Sequence, residues 1–153
     1  MKAAWQKYVL ASQGYLELGM FEDAADALEE IEPADKSRKE LLGTRIDLYM
    51  GAKKWDTATT MASHLVKIEP ENASWWIHLA YATRRAESIE EAETIILRAR
   101  ELHHVDAMIE FNLACYVSVA GRLGEAKTWL QRSIELNNDI RRLALDDEDL
   151  KPL

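Results

Sequence analysis

The chain has 153 residues, of which 27 are acidic and 19 basic, for a net charge of −8 with four histidines neutral. A hydrophobic share of 48% with 30% charged residues suits a folded chain rather than a disordered one, and 153 residues suit one domain. The acidic balance argues against nucleic acid, because a phosphate-binding surface needs clustered Lys and Arg to displace counterions. No apolar run is long enough to span a bilayer, and Met1 to Trp5 lead straight into a helical pattern without a signal-peptide core. The single cysteine, Cys115, has no internal disulfide partner and points to a reducing, cytoplasmic setting.

In chain order, the spacing predicts a first helix over about residues 3–18, a turn at Gly19-Met20, and a second helix over about residues 22–32. That second helix carries Glu22, Asp23, Asp26, Glu29, Glu30 and Glu32, an ordinary solvated face whose early acids suit the helix dipole. Ser37-Arg38-Lys39-Glu40 has the form of a capping box and opens the next unit. A second unit follows over residues 39–72, with its turn around Gly51 and Lys53-Lys54.

The third unit, residues 73–106, is the clearest. Trp76, Leu79, Ala80 and Thr83 share one helix face, and Ile89, Ala92, Ile96, Ala99 and Leu102 share another. Asn72 is placed to cap the first of these helices. Ser88, with Glu91 three residues on, is placed to cap the second. The fourth unit, residues 107–140, starts behind a capping Asp106 and turns near Gly121 and Gly124. Residues 140–153 read as a short cap over the last unit, ending in a solvated acidic stretch, Asp146-Asp147-Glu148-Asp149.

These units are copies. Ala24, Ala58, Ala92 and Ala126 stand 34 residues apart without an insertion, as do Phe21, Trp55, Ile89 and Leu123. Leu28, Ala62, Ile96 and Leu130 form a third column, and Ser12, Ile46, Ala80 and Ala114 a fourth. A helix pair of this size cannot bury its apolar face alone, so copies must stack.

Trp76-x2-Leu79-Ala80-x2-Thr83, then Ala92-x3-Ile96, resembles the tetratricopeptide repeat, with Tyr15, Tyr49 and Pro70 supplying further signature positions. His104 and Asn138 stand where that family favours proline, and Pro33 comes three residues early. The resemblance covers about Trp5 to Asn138. It implies an all-α, right-handed superhelical α-solenoid of antiparallel helix pairs, about eight helices plus a short C-terminal cap. It also implies a protein–protein interaction scaffold or adaptor in which the first helix of each pair lines a concave, peptide-binding groove.

Carried onto this chain, that groove holds Gln13, Asp47, His78, Tyr81, Arg84, Arg85, Phe111 and Asn112. The Lys, Asn and Arg clamp by which some family members hold chaperone tails is absent, since Val9, Gln13, Thr44, Ser74 and His78 stand at the comparable places. The groove then looks mixed, better suited to aromatic or aliphatic anchors than to a bare carboxylate. The alternatives are a small acidic chaperone for a secreted substrate, of the bacterial secretion type, and a self-assembling unit that forms homo-oligomers through its terminal helices.

Chemistry finds little purchase. His103 and His104 are adjacent and so point about 100° apart on a helix, while His64 and His78 are isolated. No zinc-protease or paired-cysteine spacing is present, and Cys115 sits among Leu113 and Ala114 as a small hydrophobe. No catalytic residue, metal site or cofactor is expected, nor a membrane or nucleic-acid partner.

Overall fold

The computed structural model describes residues 3–153. Among these residues it contains nine α-helices, two short 3-10 turns and no strand. The helices are α1 (Ala4–Glu17), α2 (Phe21–Glu29), α3 (Lys39–Gly51), α4 (Trp55–Ile68), α5 (Ala73–Ala86), α6 (Ile89–Leu102), α7 (Ala107–Val119), α8 (Leu123–Leu136) and α9 (Ile140–Asp146). The 3-10 turns cover Pro33–Asp35 and Glu148–Leu150.

The 34-residue register reappears in the backbone. Helices α2, α4, α6 and α8 begin at Phe21, Trp55, Ile89 and Leu123, the apolar column of the sequence. The turns repeat as well. Gly19 and Gly121 take left-handed backbone with φ of 72° and 87°, and Lys53, at the equivalent place, does so with φ 60°. At each, the next residue's amide reaches back to close the helix: Met20 to Tyr15, Lys54 to Tyr49 and Arg122 to Val117. Glu87, at the fourth equivalent position, stays at φ −125° and donates to Thr83 instead.

The small-residue columns are the core. Ala24, Ala58, Ala92 and Ala126 are all fully buried, as are Ile46, Ala80 and Ala114. Alanine at these places lets two helix backbones approach, and Leu28, Ile31, Leu65 and Ile96 fill the gaps beside them. Two buried serine hydroxyls tie helix pairs together: Ser12 donates to the Ala24 carbonyl at 2.8 Å, and Ser133 to the Ala107 carbonyl at 2.7 Å.

The chain divides into two compact units, Met1–Met61 and Ala62–Leu153. In the first, α1 packs on α2 and α3, and Val9, Leu28, Ile31, Leu41 and Leu48 form a core flanked by Trp5, Tyr8, Tyr15 and Phe21. In the second, α5 packs with α6, α6 with α7, and α7 with α8, while α5 also meets α7.

The capping expectations divide. Asn72 accepts from the Ser74 amide at 3.0 Å, Ser88 from the Glu91 amide at 3.1 Å, and Asp106 from the amides of Met108 and Ile109. The capping box expected at Ser37 does not form. The N-cap of α3 is Arg38, with no side-chain cap. Helix α2 also ends at Glu29, short of residue 32. Both corrections have one source. Pro33 has no amide hydrogen and disfavours helical backbone before it, so the chain leaves α2 early and passes through the 3-10 turn. Arg38 then donates to Asp35 at 2.6 Å rather than standing aside for Ser37.

Candidate functional site

The first helices of the two pairs in the second unit, α5 and α7, meet side by side, and the 3-10 turn Glu148–Leu150 lies on α7. Three bonds seat it. Arg84 Nη1 and Nη2 donate to the two carboxylate oxygens of Asp149 at 2.6 and 2.8 Å, a bidentate fork. Ser118 Oγ donates to the Asp149 carbonyl at 2.6 Å. Beside them the Asp147 carboxylate accepts from the Asp149 amide at 2.9 Å and holds the turn in shape. Leu150, 5% exposed, is the apolar anchor.

The expectation of a solvated acidic end is therefore corrected. The side chain of Asp149 is only 20% exposed, against 16% for Arg84. Alternate acids of the run, Asp147 and Asp149, are half-buried, while Asp146 and Glu148 are exposed. The physical reason is a local excess of positive charge on α5 inside an acidic protein. A carboxylate that reaches Arg84 gains charge-assisted hydrogen bonds that offset its loss of water. The hydrogen bond that Arg84 donates to Asp149 is also the largest influence holding the Arg84 pKa above its ordinary value.

Around this contact the face is built from α5 and α7. Arg84 lies over the Tyr116 ring at 5.7 Å, and Tyr116 is 1% exposed, its phenol pushed well above its ordinary range chiefly by burial. Arg85 lies over the Tyr81 ring at 5.4 Å and donates to its hydroxyl at 3.2 Å. One turn earlier His78 donates from Nδ1 to the Ser74 carbonyl at 2.6 Å and tilts against Trp75. Asn112 donates back to the Met108 carbonyl at 2.7 Å, and Phe111 is buried to 6% exposure.

Of the residues expected in a groove, His78, Tyr81, Arg84, Arg85, Phe111 and Asn112 thus belong to the second unit, with Tyr81, Arg84 and Arg85 together at the C-terminal end of α5. Gln13 and Asp47 belong to the first, where Gln13 Nε2 donates to Thr44 Oγ1 at 3.4 Å. Sequence reasoning missed Asp149 and Leu150. Arg84 and Ser118 are one 34-residue step apart and so share a column, whereas the tail lies past the last copy, where the periodicity says nothing.

Cys115 Sγ and carboxylate oxygens of Asp147 and Asp149 fall within 4.8 Å of one another, a grouping that invites a metal reading. The donors do not fit it. Both Asp149 oxygens are held by Arg84, and the Cys115 thiol is kept protonated. Burial first, then the charges of Asp147 and Asp149, push that thiol far above its usual range. A protonated thiol is neither a good ligand nor a good nucleophile. Cys115 instead packs from α7 against the two acids of the tail.

The first unit carries a separate hollow of about 640 Å³, lined by Phe21, Leu28, Leu48 and Tyr49 with Arg45 and Glu29 at its edge. Gly51 opens room beside it, since a Cβ there would stand 2.7 Å from the Phe21 ring.

No family model and no curated protein matches the chain. Among solved structures it is similar to one described as MamA MSR-1 C2, with 18% sequence identity and a TM-score of 0.62, covering 88% of this chain and 77% of that one. The likeness establishes the fold as an all-α helical repeat of the tetratricopeptide-like kind. Among the described residues no helix is long and apolar enough to cross a membrane.

Proposed function

We propose that this chain is a non-catalytic interaction scaffold that takes up a peptide or partner helix on the face formed by the first helices of its pairs. In the second unit that face is α5 and α7, with His78, Tyr81, Arg84, Arg85 and Asn112 toward the ligand and Phe111 packed behind it. Gln13 and Asp47 are the corresponding residues of the first unit.

One observation carries the reading. A short non-helical-repeat segment, the chain's own Asp147–Leu150, sits on this face by a bidentate arginine contact, a backbone hydrogen bond and a buried leucine. Those are the elements of peptide recognition: a charge fork for direction, a main-chain bond for register and an apolar anchor for affinity. The helical-repeat fold, a kind suited to presenting such faces, supports it as well. A neutral, buried Cys115 supports the absence of thiol chemistry and fits a reducing, cytoplasmic setting.

The test is affinity capture from the parent cell's lysate. Wild-type chain is compared with a Tyr81→Ala, Arg85→Glu double variant whose helical circular dichroism is intact. A partner held by wild type and lost by the variant supports binding at this face. Capture that the variant leaves unchanged moves the site elsewhere and overturns the assignment.

A further inference from the structure

The contact at Arg84 narrows the partner's chemistry. We infer that the α5–α7 face recognises an acidic segment of the form Asp-x-Asp-Leu on a partner protein, and that the chain's own Asp147–Leu150 occupies this site in cis until such a segment displaces it. This inference rests on the scaffold reading above and deepens it.

Three features of the contact support exchange rather than permanent packing. The tail's contribution is compact: one carboxylate, one carbonyl and one leucine carry it, all within two adjacent residues, Asp149 and Leu150. Its shape is made by itself, since Asp147 accepts from the Asp149 amide, so an unrelated chain with the same acids adopts the same turn without help from the repeat body. The receiving groups, by contrast, come from the body, Arg84 from α5 and Ser118 from α7, and are one repeat step apart.

Charge complementarity selects the ligand. Arg84 and Arg85 are adjacent in a chain of net charge −8, so this end of α5 is a local positive spot that an acidic segment finds against a repelling background. Beneath it Cys115 Sγ lies within 4.8 Å of carboxylate oxygens of both Asp147 and Asp149, and the Asp147 carboxylate holds the Asp149 amide at 2.9 Å. That arrangement rewards a second acid two residues before the one in the fork. A tethered ligand competes with a free one through its effective concentration, so apparent affinity for a partner is reduced by the fraction of chains whose site is open.

The probe is a fluorescein-labelled peptide with the sequence of residues 143–153, LALDDEDLKPL, titrated against full-length chains by anisotropy. An Asp149→Asn chain keeps the tail's shape and removes its charge, and an Asp149→Ala, Leu150→Ala chain removes both anchors. The peptide is expected to bind these variants at least tenfold more tightly than wild type. Adding Arg84→Gln, or replacing the peptide's acid equivalent to Asp149 with Asn, is expected to lose at least tenfold.

Labelling of Cys115 by a thiol reagent reports the tail independently. It is expected to speed up at least tenfold in the double variant and to slow again when peptide is added, which also proves that the variant is folded. Thiol labelling that accelerates without peptide binding overturns the inference and leaves the tail as a structural cap. Labelling and binding unchanged in both variants overturn it too, as does a mass that doubles on light scattering, which seats the tail in a second copy. If the peptide fails but a lysate partner is still captured through Tyr81 and Arg85, the inference falls and the scaffold reading stands; if both fail, the scaffold reading falls with it.

Discussion

Two arginine–carboxylate pairs in the second unit use the same chemistry for different ends. Arg100 on α6 donates from Nε to Glu110 Oε1 on α7 at 2.8 Å, and Glu110 is fully buried. Arg132 on α8 approaches the same oxygen at 3.7 Å, and both arginines lie over the ring of Trp129, at 4.7 and 5.9 Å. Here one acid ties three helices of the repeat body together. Arg84 and Asp149 join the body to the end of the chain instead, and the difference lies in the acid: the Asp149 side chain is 20% exposed where Glu110 is fully buried, while Arg84 and Arg100 are both partly open to water. Removing water makes an ion pair costly to break from one side. The contrast therefore separates a strut that must stay from a contact that is able to let go.

The largest effect is expected at the strut. Arg100→Met leaves the Glu110 carboxylate buried with only the distant Arg132, and the chain should lose about 3 kcal/mol of stability in urea unfolding. Replacing both partners, Arg100→Met with Glu110→Met, should recover most of that loss, because no buried charge then remains. A double variant as weak as the single would show that the pair is not a closed strut. At the tail, Asp149→Asn should cost only about 1 kcal/mol, with helical circular dichroism unchanged. A loss as large as that of Arg100→Met would erase the contrast and make the tail part of the fold.

A pH series sharpens the same comparison. Cys115 and Tyr116 both lie by the tail contact, and burial raises the pKa of each above its ordinary value of 9.0 or 10.0. A group whose folded pKa is raised contributes stability that is whole below its unfolded pKa and fades as pH climbs above it. Stability should therefore hold up to about pH 9 and fall beyond it, with a limiting slope of about 1.4 kcal/mol per pH unit for each group. Cys115→Ala should delay the fall toward the tyrosine range. An unaltered curve would mean that the thiol is not held protonated. The smallest effect is expected from Lys151→Ala, which breaks an exposed pair with Glu148 at 2.6 Å: thermal melts should not move.

The sequence by itself determined the helical pairs and their phase. The 34-residue step of the apolar column Phe21, Trp55, Ile89 and Leu123 and of the alanine column from Ala24 to Ala126 follows from spacing alone, although the structure starts α2 at Phe21 rather than at residue 22. Periodicity records which face of each helix must be hidden, and every copy repeats the record. Short-range capping at Asn72, Ser88 and Asp106 was legible for a related reason, since donor and acceptor lie within three residues. Pro33 shows the limit of that logic, because its effect on Glu29 to Arg38 overrode the capping pattern at Ser37.

Only the tertiary structure decided which charges meet. Glu110 looks like any of 27 acids in the sequence, and its burial depends on α6 and α8 closing over it. Arg84 and Asp149 are 65 residues apart, and the tail that carries Asp149 has no repeat to place it. Ion pairs need angstrom-level approach between groups whose positions are set by packing, and a period in the chain carries no information about a segment outside it.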